Sequence, residues 1–426
     1  MRSSKKYGRL AWFMVLTGFA ALVPVGRVRT APKPGRAVLY AAAGPELMQF
    51  DLDTESASLV KRGSVTLPDN VQEARPDPSG KFLYVTWSNG VTGSTVPPGQ
   101  KSPHGVSAFR IDPGTGALHS HGDPISLPAR SVFITTDMDG RHLIAAYNDP
   151  SGITVHTLKP DGTLGSPVPQ AGPIDVGIYA HQVRMDPSNQ AVILVTRGNA
   201  PAASKPEDPG AIKIFNYKNG VLSNRSSIAP DGGFNFQVRH LDFHPSGRWD
   251  FVTLERQNKL YVFRRAPDGT LGDRPLFMKD SLAKPGDGRG QALSTIHVHP
   301  NGRFVYLANR ASGMVDFEGK RVFAGGENTI AVFSIDQETG EPALIQNADT
   351  HGIHPRTFSL DARGRILVVA NMMAVPVRTE KGGIVQPACL SVFRVGNDGK
   401  LDFVRKYDME TGGARSLFWT GFVSLP

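Results

Sequence analysis

The sequence predicts an all-β fold, a seven-bladed β-propeller whose blades are four-stranded antiparallel sheets. Short runs of Val, Ile, Leu, Phe and Tyr recur from about Arg36 onward, separated by Asp-Gly, Pro-Ser-Gly or Thr-Gly turns. No amphipathic stretch of helical length interrupts them. Gly (46) and Pro (33) are abundant for a chain of 426 residues, as expected where tight turns join many short strands.

The repeat unit is clearest in the blade that begins near Arg239. A predicted inner strand, Arg239–Phe243, leads through a His-Pro-Ser-Gly turn into a second strand, Trp249–Leu254, and a third, Asn258–Phe263. The same order recurs in five segments: Arg75–Thr115, Ser131–Gly162, Gln182–Gly220, Thr295–Gly340 and Arg356–Gly399. The turns after the inner strands lie 47 to 62 residues apart, which suits units of ~40–50 residues with inserted loops.

The seventh blade is predicted to be shared between the two ends of the chain. Val38–Phe50 and Ser58–Leu67 supply strands with no inner strand before them, whereas the apolar segment Arg415–Leu425 is an inner strand with nothing after it. Pairing the N- and C-terminal strands closes the ring and removes the exposed edges of an open sheet. One propeller domain is therefore expected over residues 36–426, and we expect a monomer because a closed ring needs no partner.

Residues 1–31 are predicted to be an export signal rather than part of the fold. Arg2, Lys5, Lys6 and Arg9 precede the apolar stretch Leu10–Val25, which is the order of charge and hydrophobicity in a secretory signal peptide. The stretch is short for a transmembrane span of ~20 residues. We expect an exported protein, periplasmic or secreted, with an uncleaved N-terminal membrane anchor as the alternative.

Charge and cysteine content argue against several classes of function. The formal charge is +9, from 47 basic and 38 acidic residues, but no Lys/Arg run carries the interleaved aromatic residues of a nucleic-acid surface. Cys389 is the only cysteine, so neither an internal disulfide nor a cysteine-based metal site is expected. The sequence has no zinc-type cluster, and no metal or other cofactor is predicted.

Polar residues recur where predicted inner strands begin and where the following strands end, positions that face a channel mouth in a propeller. They are His181, Arg239 and Arg356 at strand starts, Glu255 and Arg310 at strand ends, and His297 within a strand. A single arginine of this kind is more often structural. The spacing of 16 residues between Arg239 and Glu255, together with the shared blade ends, favours a joint function.

This set resembles the site of the propeller lactonase family, which includes 6-phosphogluconolactonases and carboxymuconate-cyclising enzymes. The family pairs a channel His, an Arg that opens a blade, a Glu sixteen residues later and an Arg that ends a strand one blade on. His181, Arg239, Glu255 and Arg310 match these positions, and the resemblance runs from about Arg36 to the C-terminus.

The resemblance implies that those four residues are catalytic and that His297 and Arg356 bind substrate. Leu254 departs from the pattern, because Asn commonly precedes the Glu of the family. The loops before Gly210 and Glu327 are also longer than in the family. These differences concern the identity of the substrate rather than the fold. The resemblance also implies either lactone hydrolysis or lactone formation by a cycloisomerase.

The residue types suit lactone chemistry on physical grounds as well. Opening a lactone needs an activated water and stabilisation of the oxyanion that forms at the carbonyl. Histidine, with an unperturbed pKa of ~6.5, can act as a base at neutral pH, and arginine can hold an oxyanion, carboxylate or phosphate. We expect His181 as acid/base, Glu255 as orienting group or auxiliary base, and Arg239 and Arg310 as anion clamps; the choice of base between His181 and Glu255 stays open.

The predicted function is metal-independent hydrolysis, or reversible formation, of a small anionic or sugar lactone. An exported enzyme would meet unphosphorylated or carboxylated lactones more readily than phosphorylated cytosolic metabolites. The alternative is a non-catalytic envelope propeller that binds a protein or glycan on its loop face, because the fold alone does not decide function. Neither nucleic acid nor a membrane, apart from an N-terminal anchor, is an expected partner.

Overall fold

A computed structural model describes residues 36–90, 103–285, 290–379, 382–411 and 416–425. These residues form a seven-bladed β-propeller of four-stranded antiparallel sheets, which confirms the predicted fold class. The predicted export signal at 1–31 lies outside the described residues. Within them, no helix is long and apolar enough to cross a membrane, and the helical content is one 3-10 turn, Pro230–Gly233.

Blade 1 joins the two ends of the chain; strands are numbered β1 to β33 in chain order. From the outside inward its strands are β3 Ser58–Thr66, β2 Glu46–Asp53, β1 Ala37–Ala43 and β33 Leu417–Ser424. β1 pairs with β33 from Ala37↔Ser424 to Ala43↔Leu417. The predicted closure of the ring by N- and C-terminal strands is therefore confirmed.

Blades 2 to 4 are built from consecutive strands, from the channel outward. Blade 2 contains β4 Asn70–Pro76, β5 Phe82–Ser88, β6 His104–Ile111 and β7 Leu118–Ser120, with β8 Ile125–Ser126 also paired to β6. Blade 3 contains β9 Ser131–Thr136, β10 His142–Asn148, β11 Ser151–Leu158 and β12 Leu164–Pro167. Blade 4 contains β13 Ala180–Met185, β14 Ala191–Thr196, β15 Ala211–Lys218 and β16 Val221–Ile228.

Blades 5 to 7 follow the same order. Blade 5 contains β17 Val238–Phe243, β18 Trp249–Leu254, β19 Lys259–Arg264 and β20 Phe277–Asp280. Blade 6 contains β21 Gln291–Val298, β22 Phe304–Ala311, β25 Thr329–Ile335 and β26 Pro342–Asp349. Blade 7 contains β27 Pro355–Leu360, β28 Ile366–Asn371, β31 Cys389–Val395 and β32 Leu401–Asp408.

Two hairpins extend from blades 6 and 7. They are β23 Met314–Phe317 with β24 Lys320–Phe323, and β29 Val375–Thr379 with β30 Gly382–Gln386. The sequence predicts plain loops there, over Ala311–Glu327 and Met373–Pro387, because both segments are rich in Gly, Pro and charged residues. The first hairpin forms because its turn residues Glu318 and Gly319 both have positive φ, 50° and 75°, the twist that a two-residue hairpin turn requires.

The second strand of each blade is packed on both faces, because neighbouring blades stack on each other. β14 and β28 are buried along their whole length, which explains why their sequences are continuous apolar runs rather than alternating ones. Apolar clusters fill the space between adjacent blades. The channel is lined by the inner strands β4, β9, β13, β17, β21, β27 and β33, which contact one another in that order.

Every inner strand has a β-bulge near its first residues, and the bulges surround one mouth of the channel. The unpaired residues are Gln72, Val132, His181, Arg239, Ser294 with Thr295, Arg356 and Phe418. The residues that follow line one cavity below the mouth: Glu73, Phe133, Gln182, His240, Ile296, Thr357 and Trp419. A bulge re-aims side chains locally, so this fold places one layer of side chains at the mouth and a second layer beneath it.

Candidate active site

Glu255 is the centre of a buried ion-pair network at the channel mouth. It directly follows β18, where its N–H donates to the carbonyl of Gln237 at 2.9 Å, and only 4% of its surface is exposed. Its Oε1 accepts from Arg239 Nη1 at 2.7 Å and from Arg310 Nη2, and its Oε2 accepts from Arg197 Nη1 at 2.7 Å. One carboxylate thus binds three guanidinium groups from blades 4, 5 and 6.

Two imidazoles extend this network. His181 Nε2 accepts from Arg239 Nη1, and His354 Nε2 accepts from Arg310 Nη1, both at 2.9 Å. A guanidinium can only donate, so the proton of each neutral ring lies on Nδ1. Burial, reinforced by the nearby guanidinium groups, lowers the pKa of His181 well below its ordinary value and that of His354 to about 2. Both rings are therefore neutral at pH 7.

The carboxylate of Glu255 is ionised, although it is buried. Burial raises its pKa, but the guanidinium groups of Arg239, Arg310 and Arg197 outweigh burial and hold the pKa well below its usual range. Burial and the neighbouring Arg310 lower the pKa of Arg239 to about 9, which leaves it cationic at pH 7. Because its oxygens already accept from three guanidinium groups, Glu255 is a weak base that is well placed to orient them.

The repeat explains how these side chains meet. His181 and Arg239 are the bulged residues of β13 and β17, so both face the mouth. Arg197 and Glu255 occupy one structural position, directly after the second strand of blades 4 and 5, and Arg310 is the penultimate residue of that strand in blade 6. Blades 4, 5 and 6 therefore supply the carboxylate and its three guanidinium groups, and His354 joins them from the position just before β27 of blade 7.

The structure brings together His181, Arg239, Glu255 and Arg310, which the sequence singles out as catalytic candidates. Arg356, the bulged residue of β27, lies at the same mouth, since its charge contributes to the lowered pKa of His181. The position of the four residues in one bonded network follows from the geometry alone.

His297 lies deeper in the channel than the other candidates. Its Nε2 donates to the carbonyl of Phe358 at 3.1 Å, and its Nδ1 is 3.8 Å from Asp242 Oδ2. It lines the cavity beneath the mouth together with Glu73 and His240. None of its hydrogen bonds or ion pairs within the described ranges reaches the Glu255 network.

Sequence reasoning missed two members of the network, Arg197 and His354. Arg197 follows β14 as Glu255 follows β18, so comparison of strand ends between blades could have found it. His354 precedes the bulged Arg356 by two residues and has a left-handed backbone, with φ of 62°.

The charge of the mouth is strongly positive. The Nε atoms of Arg239, Arg310 and Arg356 are buried and have no hydrogen-bond partner in the part of the chain that the structure describes. Nor is any group of three His, Cys, Asp or Glu side chains there placed to hold a metal ion. This excess of positive charge favours an anionic ligand.

The chain matches the family model described as lactonase, 7-bladed beta-propeller, over residues 37–378. It belongs to this family. The prediction of a lactonase-type enzyme is therefore confirmed. The curated relatives of this β-propeller lactonase include the 6-phosphogluconolactonase of Bacillus subtilis (strain 168), 27% identical over 359 residues, which are 82% of this chain and 88% of the relative. That of Pectobacterium atrosepticum is 24% identical over 340 residues, 78% of this chain and 87% of the relative.

Solved structures share the fold. The periplasmic gluconolactonase of Pseudomonas aeruginosa superposes with a TM-score of 0.66 at 20% identity, covering 92% of this chain and 99% of that one. A protein from Lactobacillus plantarum gives a TM-score of 0.68 at 20% identity, with 92% and 100% covered. At this identity the likeness supports the architecture alone.

Proposed function

We propose that this protein hydrolyses a small sugar-derived lactone that carries an anionic group. The observation that carries the proposal is the Glu255 network, in which one buried carboxylate orients three arginines whose charges it cannot balance. The excess of positive charge favours an anionic substrate. The names of the curated relatives, 6-phosphogluconolactonases, support the same class of substrate.

Arg239 and Arg310 are proposed to bind the lactone carbonyl and its oxyanion. Arg239 Nη1 donates to both Glu255 and His181, whereas Arg310 donates to Glu255 through Nη2 and to His354 through Nη1. Because these donors are already in place before the reaction, little free energy is spent on reorienting them when charge develops on the carbonyl oxygen. Such preorganised donors stabilise the oxyanion and accelerate acyl transfer.

His181 is proposed to be the general base, and Glu255 the orienting group. When water attacks the carbonyl carbon, Nε2 of His181 takes one proton of that water, and the imidazolium returns a proton to the ring oxygen as the C–O bond breaks. This Nε2 accepts from Arg239. A lactone carbonyl that engages Arg239 would free the lone pair, and the negative charge that develops on the carbonyl oxygen would raise the pKa of His181.

A lactone-hydrolysis assay on the purified full chain tests the function. Glucono-δ-lactone and its 6-phosphate are offered with and without EDTA, and acid release is followed by pH-stat titration. We expect turnover that EDTA does not change. Loss of turnover with EDTA would indicate a metal-dependent enzyme, and no turnover of any lactone would favour the non-catalytic alternative.

Export and a monomeric state are part of the proposal. The order of charge and hydrophobicity in residues 1–31 supports export. Cell fractionation combined with N-terminal sequencing of the mature protein tests both export and cleavage. Light scattering on the purified protein tests the monomer, and a mass of twice the chain would contradict it.

A further inference from the structure

We infer that the channel mouth carries a second anion-binding subsite, formed by Arg130, Arg356 and Phe418, for a phosphate or carboxylate at the far end of the substrate. This inference rests on the proposed function and states where the second charge of the lactone is held. The mouth then has two parts. One is the Glu255 network, on blades 4 to 7, and the other is the set Arg130, Arg356 and Phe418, called the Phe418 subsite, which lies across the channel.

The Phe418 subsite is built by four neighbouring blades. Arg356, Phe418 and Gln72 are the bulged residues of blades 7, 1 and 2, and Arg130 directly precedes β9 of blade 3. The guanidinium carbon of Arg356 lies 3.8 Å from the centroid of the Phe418 ring, and that of Arg130 lies 5.9 Å from the same centroid. Arg130 Nε donates to Gln72 Oε1 at 2.7 Å, which fixes its position.

The two arginines of the subsite lack the compensation that the Glu255 network provides. Arg197, Arg239 and Arg310 are ion-paired with Glu255, whereas the ion pairs of the described residues include none to Arg130 or Arg356. Arg356 Nε is buried and has no hydrogen-bond partner among the residues that the structure describes. Both residues are partly buried, and a cation withdrawn from water costs free energy unless an anion pairs with it, so a bound anion would stabilise the subsite.

The electrostatics of Arg356 and Arg130 agree with this geometry. Burial, together with the charges of Arg239, Arg310 and Arg130, lowers the pKa of Arg356 well below its ordinary value. Burial lowers the pKa of Arg130 too. Both cations are therefore destabilised by their surroundings, and Arg356 is also repelled by Arg239 and Arg310 of the Glu255 network.

Phe418 explains why the subsite suits a compact oxyanion. A guanidinium that stacks on an aromatic face leaves its edge N–H groups free, and these match the oxygens of a phosphate or carboxylate. The ring also keeps one side of the subsite apolar, which strengthens charge-assisted hydrogen bonds there. A lactone whose carbonyl lies at Arg239 and Arg310 could thus place its distal anion between Arg130 and Arg356.

Calorimetric titration of the full chain tests the subsite with three probes. Gluconate carries one carboxylate, 6-phosphogluconate adds a phosphate, and glucarate adds a second carboxylate. For Arg130→Gln we expect Kd to rise about tenfold or more for 6-phosphogluconate, as the loss of a charge-assisted contact implies, and less than about twofold for gluconate. The Kd of glucarate, compared with that of 6-phosphogluconate, shows whether the subsite prefers a carboxylate or a phosphate.

Arg264→Gln is the matched control, because Arg264 is an exposed residue at the end of β19 and its loss changes the net charge equally. Equal effects of the two variants, or equal loss of all three probes in Arg130→Gln at an unchanged Tm, would overturn the subsite. So would a wild-type protein that binds gluconate as tightly as the doubly charged probes. Arg130-dependent binding without turnover of any lactone would support the subsite and refute the proposed function.

Discussion

Glu255 is the residue on which the charge balance of the mouth depends. It is the common acceptor of three guanidinium groups, so its loss would leave buried cations that repel one another. Glu255→Gln keeps the shape of the side chain and removes its charge. We expect a loss of about 3–5 kcal/mol in the free energy of unfolding, as for other broken buried ion pairs. We also expect a fall of about 10²–10³ in kcat, because the oxyanion donors lose their orientation.

Urea unfolding and lactone turnover measure the two effects of Glu255→Gln. Glu341→Gln is the control, because Glu341 forms an exposed ion pair with Lys279 at 2.5 Å. Its loss should change the free energy of unfolding by only about 0–1 kcal/mol. A Glu255→Gln protein as stable as the control would show that the network contributes little to the fold.

The pH dependence of catalysis depends on His181. Its base form is the neutral ring, and burial with the surrounding arginines lowers its pKa well below 6.5. As the pH falls through 6.5 the ring stays neutral, so kcat/KM should remain level and decline only at more acidic pH. Rates measured between about pH 4 and 8 and corrected for spontaneous hydrolysis report this pKa in the free enzyme. A decline centred near 6.5 would contradict the assignment.

At the scale of strands, Arg197 shows how the end of β14 contributes to the site. It binds Glu255 Oε2, yet 24% of its side chain is exposed. Arg197→Lys keeps the charge but loses the planar fork, and Arg197→Gln loses both. We expect kcat/KM to fall about tenfold for the lysine variant and further for glutamine, as expected for a charged hydrogen bond. Tm should change little.

Arg225→Gln is the matched control for the glutamine variant. Arg225 lies on β16 of blade 4, its side chain is 23% exposed and it pairs with Asp268, so the two glutamine variants change net charge and side-chain exposure alike. Steady-state kinetics and thermal melts of the three proteins separate the effect on the site from that on stability. Arg197 would have no role in positioning Glu255 if its variants behaved like the control.

The sequence predicts elements better than it predicts the site. Turn residues mark where strands end, so the predicted second strand Trp249–Leu254 agrees with β18 to the residue. The bulges could not be predicted, because a bulge depends on the register between two strands. The bulge of β21 takes in both Ser294 and Thr295, and His297, expected to bind substrate, lies below the mouth. Arg197 was not predicted, because its role depends on an ion pair with Glu255, which belongs to the neighbouring blade 5.

At the scale of the whole molecule, the fold depends on how blade 1 is held together. β33 supplies the inner strand of that blade, and Trp419, Val423 and Leu425 belong to the apolar cluster between blades 1 and 2. It also carries Phe418 to the channel mouth. The C-terminal strand therefore contributes to the closure of the ring and to the proposed second subsite.

A chain that ends at Thr411 lacks β33 and should not fold cooperatively. Loss of each large buried side chain costs about 3–5 kcal/mol, so the lost packing alone approaches the about 5–15 kcal/mol that stabilises a typical domain. Guanidinium unfolding followed by circular dichroism should show no sigmoidal transition.

The control is a circular permutant that joins Pro426 to Arg36 through a short linker and opens the exposed turn between Asp123 and Pro124. The N–H of Leu425 donates to the carbonyl of Arg36 at 2.9 Å, so the permutant keeps every strand and should unfold cooperatively. A truncated chain with the transition midpoint of the full chain would show that closure by β33 does not stabilise the ring.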